Sequence, residues 1–173
     1  MSAHALSDAP AGQPSPGPAA AALLQRHWDG QLPVEPARIA AALGIEVIAR
    51  GGPEEPGYPY SGFFEYRDGR PVIEVNRGDS PVRRRFTIAH ELGHYALGHR
   101  QAPRDYPANF TTGVQDDDER RANQFAAELL MPAERIRALV QSGRVGSLDE
   151  MARGFKVSGA AMGYRLKNLG YLA

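Results

Sequence analysis

The run His90-Glu91-Leu92-Gly93-His94 constrains this chain more than any other feature, because its chemistry is available only on a helix. Residues four apart in an α-helix lie on one face, about 40° apart around the axis. His90 and His94 then offer two imidazoles to a single metal ion. Glu91, one position on, can reach a water at that metal. Two nitrogen ligands and a carboxylate base are the parts of a hydrolytic zinc centre. A fold that uses this run must also bring in a third ligand and leave one position open. A surface helix that carries two histidines by coincidence is the bland alternative.

The 173 residues suffice for one cored domain with room for a small appendage. Formal charge balances, with 20 basic against 20 acidic residues, so no global field steers the chain to nucleic acid or anionic membranes. Cysteine is absent, which excludes a disulfide framework, a cysteine zinc finger and a thiol nucleophile. Any metal must be held by histidine and carboxylate. No apolar run reaches membrane-spanning length, and no basic-then-apolar leader opens the chain, so the expected location is the cytoplasm.

Residues 1–19, rich in Ala, Pro, Gly and Ser, read as a disordered tail. Residues 20–143 read as the main domain. A short helix is expected over Ala20 to Trp28, a second over Pro36 to Leu43, and a strand over Ile45 to Ala49. Ser61 to Tyr66 and Pro71 to Asn76 flank Arg67-Asp68-Gly69-Arg70, a strong hairpin signal. Glu74 in the second run suggests that one strand face is partly wet. A small antiparallel sheet is therefore expected before the metal helix.

That helix should start at Ser80 or Pro81, a Ser cap followed by Pro in the first turn. It should bury Phe86, Ala89, Leu92, Gly93 and Ala96 and end near Gly98. A loop with Pro103 and Pro107 follows. The next helix is expected from about Asp117 to Leu130, its acidic head explained by the helix dipole. Pro132 breaks it, and another helix runs to Ser142 with Gly143 as its cap. Residues 144–173 read as a separate pair of short helices capped by Ser147 and Ser158.

His99, nine residues after His90, falls on the opposite face of a continuing helix, about 900° around. It reads as a helix-terminal cap or as a group that hydrogen-bonds a ligand from behind. Leu97 and Arg100 stand where a metzincin would have Gly and His. The third ligand should be a carboxylate on the later helix, where Glu119 and Glu128 face opposite ways. Ala122, Asn123 and Ala126 share the face of Glu119, and small residues there allow close approach. Glu119 is therefore the expected ligand, Asn123 a hydrogen-bond partner behind the site, and Glu128 solvated.

His90-Glu91-Leu92-Gly93-His94, the downstream Glu119-x-x-Ala122-Asn123 and the run Phe125 to Pro132 resemble the ImmA/IrrE family of zinc metallopeptidases. Arg85-Phe86-Thr87-Ile88-Ala89 after the hairpin fits as well. The resemblance reaches from about Leu23 to the C-terminus. It implies Zn2+ on His90, His94 and Glu119, Glu91 as general base, and a helix-turn-helix transcriptional repressor as the cleaved protein. The fold expected is α+β: a small antiparallel sheet, a zincin-like helical core and a C-terminal helix-turn-helix-like pair.

That pair carries five basic and two acidic residues from Arg144 on, among them Arg165 and Lys167. The start of its second helix, Gly159-Ala160-Ala161-Met162, offers little to a base edge, so DNA binding is not favoured. Structural packing and substrate docking are the alternatives. The competing reading of the whole chain is a non-enzymatic DNA- or protein-binding regulator with a closed, structural zinc. His99, Tyr60 and Tyr66 are candidates for stabilising a tetrahedral transition state.

Overall fold

A computed structural model describes residues 12–99, 113–144 and 146–173, with the side chains of 113–116 left aside. Among these residues the chain is α+β, with seven α-helices and a three-stranded sheet. Most of the expected Met1–Ala19 tail, and the expected loop with Pro103 and Pro107, lie outside the described residues.

Helix α1 spans Pro16–His27 and so begins inside the stretch read as a tail. Pro16 stands in its first turn, where its missing N–H costs nothing. Ala20 is fully buried, and the Arg121 guanidinium donates to Gln13 Oε1 (2.7 Å) and to the Pro14 carbonyl, fixing the entry to the helix. Composition alone hid this, since the anchor lies more than a hundred residues away. Helix α2 covers Pro36–Ala42.

Strands β1 (Glu46–Arg50), β2 (Gly62–Arg67) and β3 (Arg70–Asn76) form a sheet in the order β1-β3-β2. The hairpin is antiparallel as expected, with Asp68 and Gly69 both at positive φ, the turn that matches strand twist. The sheet as a whole is mixed, because β1 joins the far side of β3 in parallel, pairing Val47 with Ile73. This makes β3 the central strand. Val72, Ile73, Glu74 and Val75 are all buried, so the expected wet face is absent. Glu74 survives burial by bonding Arg67 and the Tyr58 hydroxyl (2.8 Å).

Helix α3 spans Pro81–Ala96 and is capped by Ser80, whose hydroxyl accepts from the Arg83 amide at 3.2 Å. Helix α4 spans Gly113–Leu130. Its start is earlier than expected, so Asp117, Asp118 and Glu119 lie inside the helix and not at its head. The two helices touch at Gly93: a Cβ there would stand 3.0 Å from Phe125 Cδ1 and 3.2 Å from the Ala122 carbonyl oxygen. Ala122, Phe125, Ala126 and Leu92 are buried in that seam. Burying each large side chain contributes about 1.5–3 kcal/mol.

Helix α5 (Ala133–Ser142) ends at Gly143 in the left-handed conformation. Helices α6 (Leu148–Phe155) and α7 (Gly159–Asn168) are capped by Ser147 and Ser158. Met151, Phe155, Met162 and Leu166 join the same hydrophobic core as α3 and α4. Arg165 is buried, donating to the Glu128 carboxylate at 2.9 and 2.6 Å and to the Met131 carbonyl at 3.0 Å. One expectation changes here: Glu128 is an ion-pair partner and not a solvated carboxylate. The burial of Arg165 takes it away from nucleic acid, in line with the reading that did not favour DNA binding.

Candidate metal centre

The four-residue spacing on α3 sets His90 and His94 on one face, with their Nε2 atoms 3.1 Å apart. Helix α4 presents Glu119 to them. One carboxylate oxygen lies 3.1 Å from His90 Nε2 and the other 3.2 Å from His94 Nε2. These three residues form the group of potential metal donors found among the described residues. No fourth His, Cys, Asp or Glu joins them there.

The hydrogen-bond partners show which atoms are free to coordinate. Asn123 Oδ1 lies 2.9 Å from His90 Nδ1. An amide oxygen only accepts, so His90 carries its hydrogen on Nδ1 and turns a lone pair on Nε2 toward His94 and Glu119. Lone pairs from two imidazoles and a carboxylate then face one another at hydrogen-bond distance. These three residues could hold a metal ion, and nitrogen and oxygen donors of this kind suit Zn2+.

The electrostatics agree. The closeness of the His90 and His94 imidazoles holds the Glu119 carboxyl well below the usual carboxylate range, even though burial opposes them. Burial alone would lower His90, but Glu119 and Glu91 outweigh it and raise its pKa. Glu91 is buried beside the cluster and hydrogen-bonded by the Phe64 amide of β2. Burial pushes its carboxyl above the ordinary value, against the pull of His90 and His94. A carboxyl shifted in that direction is better suited to exchange a proton near neutral pH.

The strand is held against the helix by close contact. A Cβ on Gly62 would overlap Thr87 of α3 and the Glu74 carbonyl oxygen. Any side chain at position 62 would push β2 off α3 and take the Phe64 amide with it.

His90, Glu91 and Glu119 open onto a cleft of about 1540 Å³. One wall is α3 with Arg83 and Phe86. The C-terminal helices supply another, through Val157, Ala161 and Tyr164. Tyr164 is 72% exposed. His99, Tyr60 and Tyr66, the residues considered for transition-state stabilisation, are not among those that line the cleft. Tyr66 packs edge-on to Phe64, and Tyr60 edge-on to Tyr58 and Phe63.

His99 sits behind His94, its Nδ1 2.9 Å from His94 Nδ1. A continuing helix would have carried it to the far side. Gly98 instead takes positive φ, and the His99 amide donates back to the His94 carbonyl at 3.0 Å. Asp118, which the sequence gives as one acid in a run, approaches the other nitrogen of His99 at 3.4 Å. Its signal in the sequence is adjacency to Glu119.

Comparison with known proteins follows the same lines. Residues 40–167 match the family model Peptidase M78, described as the IrrE N-terminal-like domain. Over 99 residues the chain is 30% identical to Metallopeptidase ImmA of Bacillus subtilis (strain 168), an alignment covering 57% of each protein. A solved structure, the Mycobacterium tuberculosis transcriptional regulator, superimposes with a TM-score of 0.55 at 20% identity. That match covers 88% of this chain and 46% of the other, and it speaks to fold alone. The chain thus spans about half the length of the relatives it matches.

Proposed function

The chain belongs to the peptidase M78 family through its IrrE N-terminal-like domain, and on that premise we propose that it is a zinc-dependent endopeptidase. The observation that carries this reading is the convergence of His90 Nε2, His94 Nε2 and the Glu119 carboxylate within 3.1–3.2 Å, at a cleft that Glu91 also lines.

His90, His94 and Glu119 would hold the metal. Zinc, when bound, supplies Lewis acidity toward water and toward the scissile carbonyl. Glu91 accepts the proton of the attacking water. It then returns that proton to the leaving amine, so one carboxyl serves as base and then as acid. The hydrogen bond from the Phe64 amide steadies the Glu91 carboxylate beside the cleft. Asn123 holds His90 with Nε2 directed at the metal.

The closed, structural-zinc alternative requires a fourth protein ligand. Among the described residues the donor group stops at three, which favours an open position and catalysis. A DNA-reading role for the C-terminal pair is disfavoured by the burial of Arg165 and by the way α7 faces the cleft. No described helix is long and apolar enough to cross a membrane.

The substrate proposed is a helix-turn-helix transcriptional repressor, and its cleavage would derepress stress or mobile-element genes. The likeness of His90–His94 and Glu119–Asn123 to the ImmA/IrrE motifs supports this. The test is to incubate the protein with the repressor encoded beside it, with zinc and with a chelator. Discrete fragments are expected with zinc and none with chelator. An intact repressor in both tubes, or cleavage that a chelator does not touch, would overturn the proposal.

A further inference from the structure

The ring nitrogens of His90 and His94 that face away from the metal position are both engaged, but by different partners. His90 Nδ1 meets Asn123. His94 Nδ1 meets a second imidazole, His99, whose side chain has no solvent exposure. Two neutral imidazoles in contact need one donor and one acceptor. Asp118 settles which is which. Its carboxylate only accepts, and it faces His99 Nε2 at 3.4 Å, so the His99 hydrogen belongs on Nε2. His99 Nδ1 then accepts from His94 Nδ1–H. That leaves the His94 Nε2 lone pair pointing at His90 Nε2 and Glu119.

We infer that His99 and Asp118 are positioning residues for the metal ligand His94. They fix its tautomer and ring angle through the chain Asp118 to His99 to His94. The inference rests on the reading of His90, His94 and Glu119 as metal ligands. It assigns α4 a wider part in the site: Glu119 meets the imidazoles in front, Asn123 steadies His90, and Asp118 steadies His94 through His99. It also accounts for a polar ring whose side chain is wholly shut off from solvent. His99 Nε2 is buried and, with Asp118 at 3.4 Å, completes no hydrogen bond, an expensive arrangement unless Asp118 closes on it.

The test compares the wild-type chain with His99→Leu, His99→Asn and Asp118→Asn. Zinc affinity is measured by competition against a chromophoric chelator, and the fold of each metal-free protein by circular dichroism. His99→Leu should fold and hold zinc about 10–100-fold more weakly. His99→Asn should keep most of the affinity, because its Oδ1 stands near the lost Nδ1 and accepts the same hydrogen. Asp118→Asn should show a smaller loss than His99→Leu. Wild-type affinity in His99→Leu would overturn the inference. So would an equal loss in Leu and Asn, since that would mean packing alone. If His99→Leu does not fold, Asp118→Asn decides, and unchanged affinity there overturns the inference. A wild type that takes up no zinc would instead bring down the metal-site reading itself.

Discussion

Arg165 reaches from α7 into the flank of α4 and grips both carboxylate oxygens of Glu128, at 2.9 and 2.6 Å. A third donor, Nε, satisfies the Met131 carbonyl, which would otherwise be stranded past the end of α4. The guanidinium is 5% exposed, so its charge depends on that pairing. The ion pair therefore ties one wall of the cleft to the helix that carries Glu119.

Arg165→Ala should lower stability by about 3 kcal/mol, because it leaves a part-buried carboxylate and a carbonyl unpaired. Lys167→Glu, on an exposed side chain in the last turn of the same helix, should shift it by less than about 0.5 kcal/mol. Urea denaturation distinguishes the two. Equal, small effects would mean that the C-terminal helices dock without the ion pair.

Glu91→Gln should bind zinc as the wild type does, since Glu91 is not among the converging donors. Hydrolysis should fall by about 100-fold or more, because an amide cannot take the proton of the attacking water. Zinc content by atomic emission and repressor cleavage, measured on one preparation, check this. Retained cleavage in a zinc-loaded variant would assign the base elsewhere.

Gly93→Leu should force α3 and α4 apart, as even a Cβ meets Phe125 and the Ala122 backbone at 3.0–3.3 Å. Overpacking of this kind costs about 1–3 kcal/mol. Glu119 would move off the two imidazoles as well, so zinc affinity should drop along with thermal stability. Loss of stability with full zinc affinity would show that the seam does not set the ligand geometry.

Glu74 supplies a pH dependence. Burial pushes its carboxyl up, but Arg67, Tyr58 and Arg50 outweigh that and hold it below the ordinary 4.5. The folded state then binds fewer protons than the unfolded one. The resulting stabilisation is complete above about pH 4.5 and is lost as pH falls through the folded value. Glu74→Gln should cost about 1–3 kcal/mol at neutral pH. Its urea midpoint should also fall less steeply than the wild type's below pH 4.5. Parallel curves would mean that the buried carboxylate adds nothing.

Local chemistry was legible where it was sufficient. Ser80-Pro81, Asp68-Gly69, Gly143, Ser147 and Ser158 each act within a few residues, and each marks the element boundary it announces. The spacing of His90 and His94 and the small face of α4 were readable for the same reason. What the sequence concealed depends on long-range pairing. The parallel partner that makes β3 the central strand is β1, and the partner of Glu128 lies on α7. The anchor of the α1 entry is Arg121. His99 was readable as a polar neighbour of the site, but its place under His94 depends on the turn at Gly98.

The most direct measurement is a crystal structure of the zinc-loaded protein, with anomalous scattering recorded at the zinc edge. One zinc peak is predicted, about 2.0–2.2 Å from His90 Nε2, His94 Nε2 and a Glu119 oxygen, with its remaining position open toward Glu91. A peak elsewhere, Glu119 turned away from the metal, or a fourth protein ligand closing the site would contradict the account.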